Sequence, residues 1–167
     1  MEESFREKSR QIQDLVKEVN DRAIGSGAHK IFTLTGENSG IFTRMSYPIR
    51  GEEDYRELVE LLWKAFYEGS NSSNKIPNLE EDRAHKKIMK EISVIIKIND
   101  LRMVEAHDLE QDPATYETKV KNACIISDFY TGKKHVRDFN SNDFIIFQYR
   151  IVNELFDFMK QLSKSFR

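Results

Sequence analysis

Cysteine occurs once in this chain, as Cys124, and that scarcity removes several classes of protein at the outset. An intramolecular disulfide needs two thiols and a tetrathiolate zinc site needs four, so one chain can build neither. A reducing cytoplasmic setting is expected. Long apolar runs are missing as well: none approaches the ~18 residues of a membrane-spanning helix. The opening "MEESFREKSR" lacks the apolar stretch of a signal peptide, which predicts a protein that stays where it is made and has no membrane partner. Net charge is nearly absent: 26 Lys and Arg face 28 Asp and Glu, a balance of −2, which gives no overall pull toward nucleic acid or anionic lipid. The seven glycines form neither G-x-x-x-x-G-K-[ST] nor G-x-G-x-x-G, and no G-x-S-x-G elbow occurs. Walker, Rossmann and nucleophile-elbow chemistry therefore have no footing, and no cofactor is expected from them.

What is present suits one globular domain over residues 1–167. Phe5, Ile12, Leu15, Val16, Val19 and Ala23 recur at spacings of three, four or seven with charges between them. That pattern predicts an amphipathic helix over residues 1–24, ended by "GSG", with a stripe narrow enough to pack on a second copy. Lys30–Thr35 and Ile41–Tyr47 are β-prone and flank Gly36–Gly40, which predicts a hairpin. Glu52 to Glu68 opens with acids and carries a wide apolar arc, the pattern of a buried helix. Residues 69–77, "GSNSSNKIP", read as a mobile loop.

The segment 78–98 fits both periods. Asn78 is a candidate N-cap for a short helix, while Ile92, Val94, Ile96 and Ile98 alternate as in a strand. Leu101–His107 and Tyr116–Tyr130 complete a meander, with Thr131-Gly132 turning into Lys133–Phe139. Ser141 or Asn142 caps a long closing helix striped by Phe144, Ile151, Leu155, Phe158 and Leu162. The expected fold class is α+β, an antiparallel sheet of two hairpins or a meander covered by amphipathic helices. The alternative is all-α, because 78–98 and 114–130 can each be read as helix.

Three constellations carry chemistry. "LRMVEAHDLEQD" gathers Glu105, His107, Asp108, Glu110 and Asp112, and on a strand Glu105 and His107 share a face that could hold a divalent metal. A solvated strand end running into an acidic loop accounts for the same residues. Downstream, "YETKV" sets Glu117 and Lys119 two apart, on one face of a strand, with Asp108 on its neighbour. This arrangement over residues 78–166 resembles the core of the PD-(D/E)xK nucleases. The resemblance implies Asp108 and Glu117 as magnesium ligands and Lys119 as the catalytic lysine. The sequence departs from that pattern in having no Pro-Asp before the strand and no visible final strand.

The third is "FYTGKKHVRDF". As a hairpin it sets Lys133, Lys134 and Arg137 among Phe129, Tyr130 and Phe139, residue types suited to phosphates and bases. Asp128 and Asp138 lie in the same ribbon, and an edge protected by lysines explains the charges equally well. Cys124, within an apolar run, reads as a buried structural thiol. His29 and His85 have no partner at ligand spacing. With no strong catalytic constellation and long amphipathic helices at both ends, the expected function is non-catalytic binding or regulation through protein contacts, with self-association. A magnesium nuclease and a nucleic-acid-binding hairpin are the alternatives.

Overall fold

The structure, a computed structural model, describes residues 2–27, 30–69, 93–105 and 113–166. Helix α1 (Glu2–Gly25) forms on the stripe expected of it and is followed by a turn through Gly27, whose φ of 85° suits a residue without Cβ. Its apolar face lies along the last helix, α6 (Ser141–Ser165), and the two run in the same direction. Phe5 meets Tyr149 edge-on near one end, and the Ser163 hydroxyl donates to Glu18 at 2.8 Å near the other. The stripe of α1 is thus buried within its own chain. The cap of α6 is Asn140, one residue before the expected Ser141 or Asn142. Its side chain accepts from the Asn142 and Asp143 amides, and the Asp143 carboxylate accepts from the Asn140 amide in return.

The first expected hairpin does not form. Its backbone groups are taken by side chains instead of a partner strand. Asn20 of α1 accepts from the Ile31 and Phe32 amides and donates to the Phe32 carbonyl, while Asn38 accepts from the Thr35 amide and donates to the Thr33 carbonyl. The second run becomes a short helix, α2 (Gly40–Met45), which buries Ile41, Phe42 and Met45. Helix α3 (Glu52–Leu62) follows, with acids in its first turn, and continues as a π-helical turn over Trp63–Glu68.

The rest of the expected sheet is overturned in the same way. Helices α4 (Ser93–Glu105) and α5 (Pro113–Thr131) replace the meander, no strand occurs among the described residues, and the fold is all-α rather than α+β. Val94, Ile95, Ile98 and Leu101 are buried at i, i+1, i+4 and i+7 of α4, a helical face, so tertiary burial overrides the β-propensity of their side chains. On α5 the buried set is Ala123, Ile126, Ser127 and Tyr130, again at helical spacing. The Thr-Gly "turn" is the end of this helix. Gly132 takes φ 75°, and its amide donates to the Asp128 carbonyl at 2.8 Å.

One contiguous buried cluster joins the α-helices of the described residues. Fully buried Gln148 ties the 45–49 loop to α6, accepting from the Ile49 amide at 2.8 Å and donating to the carbonyls of Met45 and Tyr47. No helix among the described residues is long and apolar enough to cross a membrane. The expected loop beyond Gly69, the candidate cap Asn78, His29 and His85 lie outside the described residues.

Candidate functional site

Helix α5 packs antiparallel to α4 and presents two flanks with different chemistry. The seam between the helices is set by Asp100, a buried acid that receives hydrogen bonds from Lys119 and, at 2.7 Å, from Asn122. Lys97, nearer the other end of the seam, donates to Glu154 of α6 at 2.7 Å and lies 5.2 Å from the centre of the Tyr130 ring. Burial, then the nearby Glu154 carboxylate and its hydrogen bond, push the Tyr130 phenol far above its ordinary range, so it stays protonated.

On one flank, α3, α4, α5 and the loop after α5 enclose a cleft of about 380 Å³. Cys124 of α5 and His135 of the loop meet there, with Sγ 3.7 Å from Nδ1. Tyr55 of α3 and Ser127 of α5 also line it and are only 1% and 2% exposed. Neither hydroxyl has a hydrogen-bond partner among the described residues, nor is either sealed away from the cleft as the buried Arg44 Nε is. Burial, with a lesser contribution from Glu105, raises the Tyr55 phenol well above its usual value. Arg56 on the α3 wall is engaged by Glu52 at 2.6 Å and Glu105 at 3.0 Å, whereas Lys134 and Arg137 stand exposed on the loop side.

On the opposite flank of α5 the side chains are apolar and face solvent. Ile125 and Phe129 are each 65% exposed, one turn apart, and Ile96 of α4 is 50% exposed. Ile96 lies one turn before Asp100, and Asn122 lies at i−3 and i−7 from Ile125 and Phe129. The Asp100–Asn122 bond therefore places all three on one edge of the helix pair.

The sequence-derived candidates distribute unevenly over this geometry. Glu117 and Lys119, neighbours on the face of an expected strand, point about 200° apart on a helix. Glu117 pairs with Lys121 at 3.0 Å on the exposed side, while Lys119 turns inward to Asp100. Asp108, His107, Glu110 and Asp112 lie outside the described residues, and Glu105 accepts from Arg56. Among the described residues no three His, Cys, Asp or Glu side chains gather as a metal set would.

The basic ribbon is divided between structure and cleft. Lys133 donates to Asp143 at 2.6 Å and to the Asp138 carbonyl at 2.9 Å, holding the start of α6. Lys134 and Arg137 face the cleft. The three aromatics split too: Tyr130 is buried, Phe139 packs against Phe144 and Phe147, and Phe129 is exposed. Sequence reasoning missed the meeting of Cys124 with His135 and the two buried hydroxyls. The available signal was the spacing of Tyr116, Val120, Cys124 and Ser127, which becomes a single stripe once 113–131 is read as a helix.

No protein-family model matches the chain, and no curated protein or solved structure is detectably similar to it.

Proposed function

We propose that this is a small cytoplasmic binding or regulatory protein without catalytic activity, which works through protein contacts and associates with a second copy of itself. The observation that carries the reading is the exposed apolar edge of Ile96, Ile125 and Phe129. Burying one such side chain is worth about 2 kcal/mol, so an edge of three favours a partner over water. The charges around it favour a copy of the same chain. Crossing α5 antiparallel with its copy over Ile125 brings Lys121 of each chain to the Asp128 and Phe129 end of the other, an arrangement that repeats itself across a two-fold axis. The Glu117–Lys121 pair that it disturbs is exposed, so little is lost when Lys121 changes partner. A reducing compartment suits the single free thiol.

Analytical ultracentrifugation of the full chain tests this reading. Association that rises with concentration is expected, with Ile125→Glu abolishing it by placing two like charges at the axis. Lys121→Glu and Asp128→Lys should each weaken it, and together restore it. A wild type that stays strictly monomeric up to high micromolar concentration would sink the reading.

A further inference from the structure

We propose that Cys124 is a thiol-exchange site and that the cleft around it takes a small disulfide carrying carboxylates, leaving Cys124 as a mixed disulfide. Four observations converge on it. The cleft, at about 380 Å³, is the size of a small-molecule site. The thiol is half-buried rather than sealed in the core, and it lies 3.7 Å from a ring nitrogen of His135 that can take its proton. The hydroxyls of Tyr55 and Ser127, on residues almost wholly buried, line the cleft without a hydrogen-bond partner among the described residues. Both reach solvent in the cleft, so water satisfies them in the free protein and the acceptor atoms of a ligand can take that water's place. Finally, the fixed charges on the walls are unequal. Among the described residues, Arg56 is neutralised by Glu52 and Glu105, and the further cations lining the cleft are Lys134 and Arg137, the latter only loosely paired with Asp138 at 4.0 Å. A carboxylate entering there meets cations at the rim and hydroxyl donors deeper in.

The step balances without any further reagent. The Cys124 thiol passes its proton to His135 Nδ1, and Sγ attacks one sulfur of the disulfide R–S–S–R. The Sγ–S bond forms as the reagent's S–S bond breaks, and the departing thiolate takes the proton from the imidazolium and leaves as RSH. One disulfide is consumed and one is made. Because the chain has no second cysteine, no internal thiol can displace the adduct, which persists until an external thiol reverses the exchange. The site therefore switches once per encounter rather than turning over.

Intact-mass measurement of adduct formation on the full chain tests the proposal with three disulfides of similar size: dithiodipropionate, which is anionic, dithiodiethanol, which is neutral, and cystamine, which is cationic. Addition of one adduct is expected fastest with the anion, by about tenfold over the cation, because a cleft mouth of one charge sign raises the encounter rate of its counter-ion. The exposed double change Lys134→Glu with Arg137→Glu should invert that order, and His135→Gln should slow all three reagents. The urea-unfolded chain supplies the baseline. Equal rates for the three reagents, or folded rates no higher than unfolded ones with the anion, overturn the proposal. A double variant that keeps the wild-type order overturns the assignment of the charged mouth, and circular dichroism confirms that the variants compared are folded.

Discussion

Along α1 and α6 most apolar side chains are buried and most charged ones exposed, apart from the exposed Ile24 and Tyr149 and the buried Asp143 in the first turn of α6. In α4 and α5 this order is partly reversed, with Ile96, Ile125 and Phe129 toward solvent and Asp100 with Lys119 at the seam between them. The first pair follows the arrangement that maximises burial, and its seam is sealed by partners that need no special environment, such as the Ser163–Glu18 hydrogen bond. The second gives up apolar burial and removes a carboxylate from water. A buried acid held by a lysine and an asparagine fixes how two helices align more strictly than interchangeable apolar contacts do. One pair is scaffold. The other has a defined register and leaves both of its flanks available.

The largest test of this contrast is a pair of truncations. Leu155→Ala, at a fully buried position of α6, should lower the unfolding free energy by about 3 kcal/mol, whereas Ile125→Ala should leave it within about 0.5 kcal/mol, both read from urea denaturation of the monomer. Equal losses at the two positions would mean that Ile125 belongs to the core. Next in size is the seam. Lys119→Met leaves Asp100 with Asn122 as its remaining partner and should cost about 2 kcal/mol, and a double-mutant cycle with Asp100→Ala should show coupling between the two. Additive losses would mean that the charges align nothing.

The smallest effect concerns acid. The hydrogen bond from Lys133, then that from the Asn140 amide, hold the Asp143 carboxyl below its ordinary value. A group whose pKa is lower in the folded than in the unfolded state adds stability above the unfolded value, and that stability is lost as pH falls through the folded one. Removing the ammonium with Lys133→Met should raise the Asp143 pKa toward the ordinary carboxylate range and move the acid unfolding midpoint upward. Carboxyl carbon NMR follows the titration directly, and an unchanged midpoint would show that Asp143 contributes nothing to acid stability.

The scaffold was legible in the sequence because its burial is periodic. Phe5, Ile12, Val16 and Val19, and Phe144, Ile151, Leu155 and Phe158, repeat at helical spacing with charges between, and no strand produces that order. The α4–α5 pair was illegible for the reason that makes it distinctive: apolar residues stand on both sides of each helix. Val94, Ile96 and Ile98 alternate in the sequence, yet burial selects Val94, Ile95 and Ile98, a choice made by the helices around them. The loop at 31–35 misled differently, because the groups that bind its backbone are the amides of Asn20 and Asn38, which carry no mark of that role in the sequence. The cleft draws Tyr55 from α3, Cys124 and Ser127 from α5 and His135 from the loop, so no short motif could announce it. Lys134 and Arg137 were noticed for their charge and belong to the site through their position.

Gln148 has a consequence for the order in which the chain can be completed. Its partners at Ile49, Met45 and Tyr47 precede it by 99, 103 and 101 residues, so during synthesis those backbone groups emerge long before the side chain that binds them. Closing a loop of that length carries a large entropic penalty until the intervening helices have collapsed. A nascent chain halted before α6 therefore lacks this three-way anchor, and the backbone groups between α2 and α3 gain these hydrogen bonds only when α6 arrives.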